Sequence, residues 1–498
     1  MSYIINDETL ISELCNDIRE IVKELTCVIP NIPEKFQHPL DDDIIGDSGL
    51  LSSLLTGTEK IIPYSKADKL DELWSGLLNK SIKCLRFFDT REPFQDNSSK
   101  DIVAYGIDNL EEYHRRYTEF EGLMYGANAY YRDHVFHVIR VWMLGVFCLL
   151  KPFDGGNAFI EHISLDGGAE IDGTINQLEY VSMWTIAALC HDLGYPLEKA
   201  DQVLEKTRKM MKEFIPNPNV WDNFGYSGTQ DSINEYILKF ISTKMKAHES
   251  DIKSHVFVGR IQPKYYLKYA KSLEAFQHGI ISTVIIFKML LFFLESDFNL
   301  NDDHLYSEED ARQFYIRREI LRAIASHTCP DAYNIHITTF SSLLFLCDEL
   351  QEWGRKTWNE LYTGLNENSV SLTIERFTSD SIDVKETIEM KLVEDIASVV
   401  RNICRIFERQ YSLYKTTFRD GQYTAKRDFD LKKTMTFNLP TNGAQTRSIV
   451  VTYILPKAEQ CKFEIDLSMV GSDADAYKNK IREEISKKLY GQDLNIVS

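Results

Sequence analysis

The run WTIAALCHDLGYP, residues 184–196, places a histidine beside an aspartate at the end of an apolar stretch. Trp184, Ile186, Ala187, Leu189 and Cys190 predict a buried helix. Gly194 and Pro196 predict its stop, since one tolerates the left-handed conformation and the other cannot continue a helix. His191 and Asp192 then fall in the last turn, where unsatisfied carbonyls favour a cation. Neighbouring helical positions project about 100° apart. An aspartate can offer one oxygen to each of two cations, whereas an imidazole binds one. Metal ligation is the chemistry that fits such a pair, provided the chain supplies the rest of a coordination shell.

Candidates for that shell are spread over two hundred residues. Upstream, YRDHVFHVIRVWMLG sets His134 and His137 three apart on one helical face, beside the apolar stripe of Val138, Val141 and Leu144. Downstream, His278 opens an apolar helix in EAFQHGIISTVIIF, His327 closes one in AIASHTCPDAY, and Asp348 is embedded in LLFLCDELQEWG. A lone histidine on an apolar helix is ordinarily a hydrogen-bonded core residue. Asp348 is different, because burying an unpaired carboxylate among Leu344, Phe345, Leu346 and Cys347 costs several kcal/mol. It needs a partner.

This order of residues resembles the HD-domain superfamily of metal-dependent phosphohydrolases, in which a histidine, a His-Asp pair and a distant aspartate sit on successive helices. HVIRV from His137 is similar to the first ligand motif, His191 and Asp192 to the defining pair, and Asp348 to the closing aspartate. Dinuclear members add two histidines, which by position are His278 and His327. The resemblance covers about residues 110 to 360. It implies a helical bundle holding one or two divalent cations, with Asp192 between them, acting on a phosphoester or phosphoanhydride of a small phosphorylated substrate, a nucleotide foremost. The cations would lower the pKa of a bound water and neutralise developing phosphoryl charge. Mixed imidazole and carboxylate ligation suits Mn, Fe, Co or Ni better than Mg.

Outer roles are open. His134 reads either as the catalytic acid for the leaving oxygen or as a packed histidine bonded to Asp133. Arg132 and Asp133 either orient the histidines or pair with each other. Arg140, Lys199 and Arg355 are candidate substrate-binding residues, with structural ion pairs as the competing role for Arg140, Lys199 and Glu198. The same ligand set also serves HD-fold di-iron oxygenases. A nuclease and a non-catalytic nucleotide sensor are the other readings.

The elements that must position these side chains predict a mainly α fold. Residues 1–104 read as an amino-terminal helical region, with helices near 7–26 and 66–88. Residues 105–363 read as the helical metal-binding domain, and 364–498 as a smaller α+β domain with a hairpin, a helix, three further strands and a closing helix. Within the central part, 244–271 is rich in Lys and Tyr, either a solvated helical insertion or a phosphate-attracting rim. A net charge of −19 argues against coating nucleic acid through bulk electrostatics. Nine scattered cysteines without CxxC spacing predict reduced core residues and a cytoplasmic protein. MSYIINDETLISEL shows no signal-peptide pattern. The apolar runs 134–150 and 278–294 carry His, Arg and Lys and read as buried helices, so no membrane partner is expected. Oligomeric state is left open.

Overall fold

Helix predominates, and the strands fall into two sheets. The computed structural model describes residues 2–29, 32, 36–46, 49–55, 67–91, 106–127, 131–165, 169–212, 229–248, 256–296, 298–299, 304–329, 337–355, 368–390, 400, 403, 430–439, 447–455, 462–486 and 494–497. In chain order the helices are α1 (Asp7–Glu13), α2 (Arg19–Cys27), α3 (Asp42–Ile45), α4 (Leu50–Leu55), α5 (Ala67–Phe87), α6 (Ile107–Ala127), α7 (Val135–Leu150) and α8 (Ala169–Asp172). They continue with α9 (Gln177–Cys190), α10 (Tyr195–Lys212), α11 (Thr229–Ser242), α12 (Pro263–Glu274), α13 (His278–Met289), α14 (Leu291–Leu294), α15 (Glu308–Ser326), α16 (Phe340–Leu350) and α17 (Ala474–Ser486). The helix expected over 7–26 is present with a π-helical turn, Leu14–Ile18, between α1 and α2.

α9 is apolar on every side and buried from Leu178 to Cys190, which makes it the central helix. Side-chain caps start both α9 and α15: Asn176 with Glu179, and Ser307 with Asp310. Glu179 also accepts two 2.6 Å bonds from Arg312 of α15, fixing the two helix starts together. At their other ends the His191 and His327 rings lie 5.0 Å apart. The two helices therefore run in the same direction. α7 and α13 run the opposite way, beginning where α9 and α15 end. α7 crosses α9 at Gly145, where a Cβ would stand 1.9 Å from the Trp184 indole. Reciprocal indole bonds pin this crossing: Trp142 Nε1 donates to Thr185 and Trp184 Nε1 to the Trp142 carbonyl, both at 3.0 Å.

The larger sheet has the order β1 (Tyr3–Ile5), β5 (Asn368–Phe377), β6 (Ser381–Met390), β7 (Asp430–Leu439), β8 (Arg447–Leu455), β9 (Lys462–Asp466), β10 (Leu494–Val497). Its neighbours are antiparallel except β6–β7 and β9–β10. Strict alternation along β6 and β7 turns one face inward, including two charged positions, Glu386 and Lys433. The hairpin, the three later strands and the closing helix agree with the sequence pattern, and the helix expected over 391–411 lies outside the described residues apart from Val400 and Ile403.

Two features differ from expectation. The amino-terminal region is not wholly helical, because β1 pairs with β5 and joins the carboxy-terminal sheet. Nor is 244–271 a helical insertion: β2 (Thr243–Ala247) and β3 (Phe257–Ile261) pair antiparallel, with β4 (Leu305–Tyr306) beside β3, before α12 begins. Among the described residues no helix is long and apolar enough to cross a membrane. The run 134–150 is α7, and 278–294 breaks at Leu290 between α13 and α14.

Candidate metal centre

α9 ends at Cys190, and the four residues that follow turn the chain into α10. Four carbonyls at and just past the helix end find side-chain donors, and Cys190 accepts from the Leu193 N–H, as a buried terminus requires. His191 Nδ1 donates to Ala188 at 2.8 Å, Trp74 Nε1 to Leu189 at 3.1 Å, Ser282 Oγ to His191 at 2.7 Å and Tyr113 Oη to Leu193 at 2.8 Å. Gly194 is not in the left-handed conformation expected of it. It is glycine because a Cβ there would meet the His278 carbonyl at 2.4 Å. Pro196 likewise lies in the first turn of α10, where its missing N–H is harmless, and does more than stop α9.

All six expected ligands converge. Asp192 Oδ2 lies 3.4 Å from His191 Nε2 and 3.9 Å from His137 Nε2, and Asp348 Oδ1 lies 2.8 Å from His137 Nε2 and 3.9 Å from His191 Nε2. The other oxygen of Asp192, Oδ1, lies 3.2 Å from His278 Nε2 and 3.6 Å from His327 Nε2. Donors about 2.1 Å from one cation stand about 3.0–3.4 Å from each other, and the observed spacings of 2.8–3.9 Å bracket that range. Two sets, His137/His191/Asp348 and His191/Asp192/His327, each keep their ligand atoms within 4.8 Å.

Proton placement identifies which atoms would bind. Every imidazole commits its Nδ1–H to an acceptor: His137 to Gln351 Oε1 at 2.5 Å, His191 to Ala188, His278 to Glu198 Oε2 at 2.6 Å, and His327 to Ile324 at 2.6 Å. The Gln351 amide is itself oriented by donating to the Trp353 carbonyl at 2.7 Å. All four Nε2 atoms are left as lone pairs facing carboxylate oxygens or one another. His191 Nε2 is buried with no hydrogen-bond partner among the described residues. Lone pairs crowded against anions repel unless something positive lies between them. In the metal-free protein a proton serves: although burial opposes it, Asp192 and Glu198 lift His278 to about 9. Burial pushes His137 and His191 below their ordinary range. Asp192 would be raised by burial, but His191, His278 and His327 hold it well below the usual carboxylate range. The residues fit one or two divalent cations.

Comparison of the chain with protein-family models, with curated proteins and with solved structures returned no match.

The surroundings of the centre separate the outer candidates. His134 stands just before the first residue of α7 with no capping bond from its side chain, its ring stacked 4.0 Å from that of Tyr195, and its backbone N–H donates to the buried Glu121 at 2.5 Å. Its Nδ1 is buried without a hydrogen-bond partner among the described residues, 3.7 Å from Glu121 Oε1, and Asp133 supplies the α7 cap, accepting from Phe136 N–H at 2.8 Å. Arg132 pairs with Glu352. Arg140 donates to Asp7 through Nε and Nη2 at 2.9 and 2.8 Å, a structural tie between α1 and α7. Lys199 pairs with Glu198 and lies 5.0 Å over the Tyr195 ring. Arg355 is the candidate that stays with the centre: its charge acts on His134, His137 and Asp348, and its Nε is buried with no partner among the described residues.

Two partners were not legible in the sequence. Gln351 lies three residues after Asp348, a spacing that puts both on one helical face, but no residue type flagged it. Glu198 reaches His278 only through the fold. A carboxylate behind a ligating imidazole strengthens and orients it, and losing one costs about 10–100-fold in metal affinity. Glu198→Gln is expected to weaken cation binding by that factor, read by titration calorimetry. In the parent protein the cation displaces the His278 proton, so affinity should rise up to tenfold per pH unit toward about 9 and then level. In Glu198→Gln that plateau should begin at lower pH.

Proposed function

We propose that this chain is a metal-dependent phosphohydrolase of the HD type, cleaving a phosphoester or phosphoanhydride of a nucleotide or related small molecule. The observation that carries the reading is Asp192, buried with one oxygen turned to His137 and His191 and the other to His278 and His327. On this reading residues 105–363 form the HD-type domain, with 1–104 and 364–498 packed around it.

Bound there, one or two divalent transition cations would supply Lewis acidity, activating water and neutralising phosphoryl charge. The chain's own residues do the rest. Arg355 offers an unpaired Nε–H suited to a phosphoryl oxygen, on a guanidinium whose fork can match two of them. Burial and the Arg355 charge hold His134 well below its ordinary range, hence neutral. A neutral imidazole suits a hydrogen bond to substrate or water better than delivery of a proton, which narrows the acid role expected of it. Tyr195 fixes its ring.

The rival di-iron oxygenase would use the same six ligands. An unsatisfied arginine donor beside the centre favours an anionic substrate, and the donor set is complete, which favours catalysis over sensing. The test is metal analysis of the purified protein with a phosphate-release screen across nucleotides and sugar phosphates under Mn, Fe, Co and Ni, run beside O2 consumption with iron. Phosphate release that needs added metal supports the proposal. Bound iron with O2 uptake and no phosphate from any substrate overturns it.

A further inference from the structure

The metal centre lies among the helices, yet the carboxy-terminal sheet reaches the helix that carries Asp348. Lys433, an inward position of β7, is fully buried, and its Nζ lies 2.9 Å from Glu349 Oε1 of α16 and 2.9 Å from Glu386 Oε1 of β6. Glu349 follows Asp348 directly. Consecutive residues on a helix project about 100° apart, so the bond that draws Glu349 to the sheet sets the rotation at which Asp348 faces the histidines. Asp348 and Gln351, three apart on that other face, hold the two ring nitrogens of His137 at 2.8 and 2.5 Å. A small rotation of α16 would break both contacts together. The sheet grips the same segment a second time: β1 leads into α1, where Asp7 accepts from Trp353 Nε1 at 2.8 Å, just beyond Gln351.

We propose that Lys433 is a positioning residue for the metal centre, acting through Glu349 to aim Asp348, so that the sheet is a structural part of the cation site. This rests on the centre holding metal, the reading given above. The buried cluster has one ammonium and two carboxylates, which permits a matched pair of isosteric variants. Glu386→Gln and Glu349→Gln each leave one balanced Lys–Glu pair in the interior, but only the second weakens the tie to α16, from an ion pair to a bond with a neutral amide oxygen. Glu349→Asp keeps the charge and shortens the reach by one methylene.

The experiment is Mn titration of the full chain and the three variants, counting bound equivalents, with thermal unfolding of the metal-free proteins alongside. Glu349→Gln and Glu349→Asp are expected to bind Mn at the Asp348 side about 10–100-fold more weakly, so that at limiting Mn the count drops from two toward one, while Glu386→Gln keeps the parent count. A merely structural role would lower the unfolding temperature of all three without this selective loss. The inference is overturned if Glu349→Asp binds like the parent, which would leave charge alone as the cause, or if Glu386→Gln loses Mn equally. Parent protein that binds no Mn, Fe, Co or Ni would sink the metal reading itself.

Discussion

Asp192→Ala is expected to empty the centre, taking bound metal from two equivalents to near none and phosphate release down by at least about three orders of magnitude. Both cation positions share this one carboxylate, so its loss removes a ligand from each. It also leaves Asp348 as the single carboxylate among the expected ligands. Asp192→Asn makes a finer test, because the amide keeps one oxygen ligand and turns an NH2 group to the other side. It should retain about one equivalent. Metal content by elemental analysis, with circular dichroism to confirm the fold, decides the matter; a folded Asp192→Ala protein that still carries two equivalents would mean that Asp192 does not bridge.

The second large effect belongs to Arg355. Arg355→Ala is expected to lower kcat/KM for the phosphorylated substrate by roughly 10²–10³, the usual loss when a charged donor to a developing anion is removed, while bound metal stays at the parent level. Arg355→Lys should recover only part of this, since an ammonium keeps the charge but not the two-pronged geometry. An equal loss of metal in Arg355→Ala would mean that the arginine supports the ligands and not the substrate.

The residues that converge were legible in sequence in two ways: the His191–Asp192 pair at a helix end and Asp348 among leucines are anomalous where they stand, whereas His137, His278 and His327 are singled out by the resemblance. A buried carboxylate needs a partner whatever the fold, so such an anomaly is visible before the fold is known. What fixes the ligands was not legible. Gln351 and Glu198 are ordinary polar residues near helix ends, and only tertiary contact makes them partners of His137 and His278. The strands β5 to β8 announced themselves by alternation, whereas β1 is three residues long and β2 reads TKMKA, too polar and too short for a period to emerge. Glu386 and Lys433 each break an otherwise apolar inward row. Such interruptions become intelligible only when the helix opposite is known.

The α7–α9 crossing bears on which ions the centre can accept. His137 and His191 each stand about two helical turns from the point where Gly145 abuts Trp184, and their side chains are 1% and 0% exposed. Neither helix can slide or splay without forcing an indole into backbone. If the centre holds metal, ions of unequal radius would be accommodated on the side of His278, whose side chain is 18% exposed. Exchanging a small cation for a bulky one would thus register first on α13, leaving the α7–α9 wall as the fixed gauge against which size is measured.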